Sequence, residues 1–141
     1  MDIALVALTL NPSPNGRGEG VRAEYAGANR PLYLLRENKI IEIKPDKFPI
    51  AGIQTEEERK FTNHQIQLNK GDTIYIFTDG FVDQFGGERG KKFMAKRFQT
   101  LLLSIQNESM TEQNKTIDKT IEDWKGNLEQ VDDILVIGIR I

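Results

Sequence analysis

The 141-residue chain contains no cysteine and one histidine, His64. Disulfides, thiolate metal sites and zinc sites built from several histidines are therefore excluded. Any metal must be held by carboxylates, carbonyls and water, which favours Mg²⁺ or Mn²⁺ over Zn²⁺. An excess of one charge is also lacking. Nineteen Lys and Arg face 21 Asp and Glu, for a net charge of −2, so the balance gives no argument for nucleic acid. No run approaches the roughly 18 apolar residues that a membrane-spanning helix needs. Residues 1–10 are mostly apolar, but Asp2 stands where a secretory leader carries positive charge, and Pro12 and Pro14 follow at once. The expected compartment is the cytoplasm. Apolar content is only 38%, yet the 12 glycines bring it near the ordinary globular range. The length predicts a single domain, 1–141.

The apolar pattern alternates first and turns helical later. Residues 2–10 read as a buried strand, being a short apolar run ended by breakers. Residues 11–20 hold two Pro and three Gly, which predicts a flexible insertion or long hairpin loop. Strands are predicted over 21–26, 32–36, 40–43, 64–68 and 73–78, with turns at 27–31, 37–39 and 69–72, the last a hairpin turn. Residues 44–60 are irregular, and the charge run Thr55-Glu56-Glu57-Glu58-Arg59-Lys60 reads as solvated loop. From about 90 to 106 Phe93, Met94, Phe98, Leu101, Leu102 and Ile105 recur at helical spacing. Ser109-Met110-Thr111-Glu112 is a capping-box sequence. Met110, Ile117, Ile121 and Trp124 mark one face of a second helix that Gly126 stops. Residues 133–141 predict a last strand buried on both faces. Strands, two helices, then a strand make an α+β pattern with helices on one side of an antiparallel sheet.

Chemistry concentrates in two places. In Gly71-Asp72-Thr73-Ile74-Tyr75-Ile76-Phe77-Thr78-Asp79-Gly80-Phe81-Val82-Asp83 and in Val131-Asp132-Asp133-Ile134-Leu135-Val136-Ile137, a β-rich run adjoins an acid. Carboxylates at the ends of neighbouring strands can be aimed at one hard cation. Asp72 reads as a turn residue and Asp83 as a helix cap. His64 is expected on a strand, partly exposed, and Trp124 in the core. Arg30, before Pro31, reads as a surface arginine, with a phosphate-facing role as the alternative. Lys91, Lys92, Lys96 and Arg97 are expected as a solvated basic face of the first helix, or a docking surface for an acidic partner.

These two motifs, in this order, with Tyr25-Ala26-Gly27-Ala28-Asn29-Arg30-Pro31-Leu32-Tyr33-Leu34 upstream, resemble the C-terminal portion of a SpoIIE-like, PPM-type protein serine/threonine phosphatase. The resemblance covers nearly the whole chain apart from 11–20 and part of 44–60. It implies a partial α-β-β-α sandwich with two C-terminal helices before the last strand. It further implies a two-ion Mn²⁺ or Mg²⁺ site at one end of the sheets and hydrolysis of phosphoserine on a bacterial regulatory protein. By motif position Asp79 and Asp132 match two metal-ligand aspartates, and Gly80 and Asp133 are their neighbours, as further ligands or support.

The family's N-terminal Asp-Gly motif, whose aspartate bridges the metals, has no counterpart here. Phe48-Pro49-Ile50-Ala51-Gly52 is a looser version of its Pro-Ile-Gly turn. The expectation is a truncated domain, weakly active or inactive alone, that self-associates through exposed edges. The competing readings are a non-catalytic remnant or interaction module, and a domain holding one Mg²⁺ or Ca²⁺ on Asp79 and Asp132.

Overall fold

The computed structural model describes residues 1–11, 20–50 and 60–141. The predicted loop tip, most of the charge run and the end of the Pro-Ile-Ala-Gly turn lie outside these residues. Two antiparallel sheets stack face to face. The first has the order β1-β2-β5, from β1 (Ile3–Asn11), β2 (Gly20–Ala28) and β5 (His64–Leu68). The second has the order β4-β3-β6-β9, from β3 (Leu32–Arg36), β4 (Lys39–Ile43), β6 (Thr73–Phe77) and β9 (Val136–Arg140).

Alternation explains the two cores. In β3, Leu32 and Leu34 face the first sheet and join Ala23, Tyr25, Leu68 and Ile74. Tyr33 and Leu35 point the other way, with Tyr75 and Phe77, and meet the helices. Those helices are α1 (Asp79–Asp83), α2 (Ala95–Ser104) and α3 (Met110–Lys125). Phe98, fully buried on α2, is the hub, with ring centroids 4.9 Å from Phe77 and 4.6 Å from Phe81. Burying one such ring contributes about 2–3 kcal/mol. The result is the expected α+β fold, with helices against the far face of the four-stranded sheet.

The helix signals act as predicted. Ser109 Oγ accepts from the Glu112 amide at 3.2 Å, and Gly126 caps α3 at φ 55°. Glu37 and Asn38, at φ 49° and 61°, make the tight β3–β4 turn. His64 is half-buried, its ring 5.7 Å from that of Tyr25. Trp124 packs edge-on against Phe93 at 5.4 Å and donates to the Gln84 carbonyl at 3.1 Å.

Several expectations are corrected. Residues 69–72 form a corner between sheets, because β5 and β6 belong to different ones. β1 is an edge strand with Leu5, Leu8 and Leu10 at 62%, 41% and 68% exposure, so it is not buried. β9 has no partner on its outer edge among the described residues, and Ile137 is 40% exposed. The first predicted helix starts later, at Ala95, because Lys91 and Lys92 form β8 against β7 (Phe85–Gly86). The basic stretch is thereby split: Lys92 pairs with Asp83 at 3.2 Å, and Arg97 stacks on Trp124 at 4.4 Å. Asp83 ends α1 and caps no helix N-terminus.

Candidate functional site

β6 is flanked by Asp72 before it and Thr78 after it, and its C-terminal end is where the acids gather. Phe77 pairs with Val136 of β9, which brings the segment before β9 alongside the residues after β6. Thr78 binds the two together. Its amide donates to the Leu135 carbonyl at 3.0 Å. Its hydroxyl donates to the Asp133 carbonyl at 2.7 Å and accepts from the Leu135 amide at 3.0 Å. Gly80 makes the approach close: a Cβ there would collide with the Asp133 carbonyl and lie 3.2 Å from the backbone carbonyl oxygen of Asp132. Glycine is thus required at this position by space.

Asp79 and Asp132 consequently line one open cleft of about 480 Å³, with Met1, Asp2, Arg30, Thr78 and Asp133. Asp79 is the first residue of α1. Asp132 accepts the Asp133 amide on Oδ1 at 2.7 Å, and its own carbonyl accepts from Gln130 Nε2 at 2.9 Å. One Asp79 oxygen is already engaged, since Arg30 Nη2 donates to Oδ2 at 2.7 Å and to Asp2 Oδ2 at 2.9 Å. Arg30 is therefore no simple surface arginine; its side chain is 19% exposed. Asp2 and Thr78 were not singled out as site residues from the sequence, and for Arg30 a phosphate-facing role stood as the alternative to a surface one. The Thr-Asp-Gly triplet carried a local signal for Thr78, and Asp2 had none as a site residue.

Asp72, at the other end of β6, takes no part in this cleft. It is buried, with Arg36 Nε at 3.0 Å and Nη2 at 2.5 Å, and it accepts the Asn69 amide at 2.8 Å. Burial alone would raise its pKa, but the Arg36 guanidinium and the Asn69 amide outweigh it and hold the carboxyl below its ordinary value.

The donor set fits a hard cation in kind, being carboxylate oxygens beside solvent. It is sparse in number: among the described residues no three acidic or histidine side chains are grouped tightly enough to hold an ion.

The family model of stage II sporulation protein E matches residues 17–141. The chain belongs to the SpoIIE family. It is 29% identical to the SiaA-PP2C domain of Pseudomonas aeruginosa, with a TM-score of 0.76 over 87% of this chain and 51% of that one. The SpoIIE phosphatase domain of Bacillus subtilis matches at a TM-score of 0.63 and 12% identity, over 98% of this chain and 58% of that one. The Mycobacterium tuberculosis serine/threonine phosphatase PstP/Ppp matches at 0.52 and 16%, over 89% and 62%. The fold is thus that of PPM-type serine/threonine phosphatases. The chain spans little more than half the length of the first two solved domains. No curated protein matches it.

Proposed function

We propose that this SpoIIE-family chain carries part of a metal-dependent protein serine/threonine phosphatase site, with Asp79 and Asp132 as metal ligands and Asp133 and Gly80 as their support. The observation that carries this reading is the convergence of Asp79 and Asp132 on one open cleft. They are joined there by the Thr78 bonds and the Gly80 contact. Mn²⁺ or Mg²⁺ bound there would supply an activated water for in-line attack on a phosphoserine phosphorus and offset charge on the phosphoryl oxygens. The chain's own groups have simpler tasks. Asp79 and Asp132 present oxygens, Thr78 fixes their separation, and Arg30 sets the charge at the mouth. Two acids leave much of a metal's shell to water, so activity of this chain alone should be little above a buffer control. The test is Mn²⁺-dependent hydrolysis of a phosphoserine peptide, with Asp79→Asn as control. Strong turnover lost in the variant would show the partial site to be sufficient and would end the low-activity expectation. Mn²⁺ binding indifferent to Asp79 and Asp132 would end the metal reading itself.

The exposed edges favour a second reading, an interaction module that self-associates. β1 and β9 each leave one backbone edge without a partner among the described residues. Leu5, Leu10, Leu135 and Ile137 are 40–68% exposed beside them. Unpaired edges with apolar side chains invite strand addition. Sedimentation velocity should show concentration-dependent dimers or larger species, and a monomer at all concentrations overturns this reading.

A further inference from the structure

Arg30 is held by more of the chain than an arginine in a surface turn requires. It sits where the chain leaves β2 and crosses to β3 in the other sheet. Tyr25, fully buried, donates its hydroxyl to the Arg30 backbone carbonyl. Burial, followed by the charges of Asp46 and Glu42, pushes that phenol up to about 12, so it remains a donor at neutral pH. Gly27 leaves the hydroxyl its space, since a Cβ would lie 2.7 Å from Tyr25 Cζ. Asn29 is left-handed at φ 57°, and its amide donates to the Asp46 carbonyl at 2.9 Å. The Asp46 amide returns a bond to the Gly27 carbonyl at 2.9 Å, and the Asp46 carboxylate is tied to the Thr62 amide and hydroxyl at 2.7 and 3.0 Å. Pro31 fixes the next φ. The motif Tyr25-Ala26-Gly27-Ala28-Asn29-Arg30-Pro31 therefore works as a mount for one side chain.

What the mount presents is the one basic side chain among the residues lining a cleft that also holds Asp2, Asp79, Asp132 and Asp133. A phosphoryl dianion entering among four carboxylates meets repulsion unless cations face it. A planar guanidinium with five donors suits phosphoryl oxygens, and Nη2 alone serves the two carboxylates. The Asp79 oxygen that Nη2 occupies belongs to a candidate metal ligand, so a cation and Arg30 compete for it.

We propose that Arg30 is the phosphoryl-binding residue of this cleft and that its guanidinium, released from Asp79 when a cation takes that carboxylate, would turn to the phosphoryl group while still anchored on Asp2. The proposal rests on the phosphatase reading and adds a residue that metal ligation alone does not require. It makes the two affinities move in opposite directions. Removing the guanidinium frees Asp79 for metal and takes a donor from phosphate.

The test is isothermal titration of this chain, first with Mn²⁺ and then with inorganic phosphate at saturating Mn²⁺, for wild type, Arg30→Gln and Arg30→Lys. Circular dichroism checks each fold. Arg30→Gln should bind Mn²⁺ about tenfold more tightly and phosphate about tenfold more weakly, the scale of a hydrogen bond between charged groups. Arg30→Lys should keep the wild-type Mn²⁺ affinity and recover phosphate binding in part, because the charge stays and the fork is lost. A merely structural arginine would lower both affinities together or change neither, and either result overturns the proposal. Asp79→Asn and Asp132→Asn in the Arg30→Gln background separate the two levels. If neither weakens Mn²⁺ binding, the metal reading of the cleft fails and the exchange at Asp79 fails with it. If both weaken it while Arg30→Gln alone changes nothing, the metal reading stands and Arg30 has no part in it.

Discussion

β6 carries an Asp–Arg pair at each end, and the two pairs are built for opposite ends. At the N-terminal end Asp72 is 4% exposed in its side chain, Arg36 grips both its oxygens, and the Asn69 amide adds a third donor. At the C-terminal end the Asp79 side chain is 35% exposed, one guanidinium nitrogen reaches one of its oxygens, and Asp2 shares that nitrogen. The same two residue types thus make a closed ion pair in one place and an open one in the other. A buried carboxylate with its hydrogen-bonding capacity used holds a corner of the fold. A half-exposed one with capacity left over is available to a cation or a ligand.

The largest contrast should come from truncating the closed pair. Asp72→Ala leaves the Arg36 guanidinium and the Asn69 amide without their acceptor at the corner between β5 and β6. The expected loss is about 3 kcal/mol, the lower end of what breaking a buried pair costs, because Arg36 keeps some water. Urea unfolding of the two chains measures it; a loss below about 1 kcal/mol, the scale of an exposed pair, would erase the distinction drawn between the two ends.

Acid should weaken the closed end as well. The folded protein holds Asp72 below its ordinary pKa. Between the folded value and the unfolded value of about 3.9, the unfolded chain binds more protons, so stability rises with pH there. The contribution of Asp72 is complete above that window and disappears as pH falls through the folded value. Stability measured from pH 6 to pH 2 should fall less steeply in Asp72→Asn than in wild type, and parallel curves would show that Asp72 is not the linked group.

The two ends also differ in how far they could be read beforehand. Asp79 and Asp132 stand out in the sequence because each follows or precedes a strand with a recognisable local pattern. Strand positions were legible for a similar reason: short apolar runs bounded by turn residues, as in 32–36 and 73–78, mark strands whatever covers their faces. What local pattern cannot encode is the neighbour. The corner at Asn69–Asp72 has the Gly71 turn chemistry of a hairpin, with φ 92°, yet it joins two sheets. β1 is apolar like an inner strand, and its exposure depends on which chain segments lie beside it. Asp2, Arg30 and Asp79 meet only through the stacking of two sheets, so no spacing along the chain announces them. α1, five residues long, is too short to show a period.

Gly80→Ala tests the contact that brings the two proposed ligands of the open end together. The added methyl meets the backbone of Asp133, which cannot rotate aside as a side chain tip can. Stability should fall by about 1–3 kcal/mol, as for other insertions into a tight contact, and Mn²⁺ binding should fall with it because Asp79 and Asp132 move apart. Unfolding and titration are read on the same preparation. A destabilised protein that still binds Mn²⁺ normally would mean the spacing of the two acids is not what the cleft depends on.

The smallest effect on stability should come from the proposed metal ligand at the open end. Asp79→Asn keeps the shape of the side chain and loses one bond of a part-buried, solvent-accessible pair whose Arg30 keeps Asp2, so the change in unfolding free energy should stay within about 1 kcal/mol. Solvent reaches Arg30 through the cleft, and Asp2 still accepts from it at 2.9 Å. Mn²⁺ binding, by contrast, should be lost, since a neutral amide is a poor donor to a hard cation that has few other ligands here. Asp72→Asn should show the reverse, with weakened stability and Mn²⁺ affinity unchanged in the protein that remains folded. If Asp79→Asn destabilises the chain as much as Asp72→Asn does, the open pair is structural too. The reserve of hydrogen-bonding capacity seen at Asp79 would then have no functional meaning.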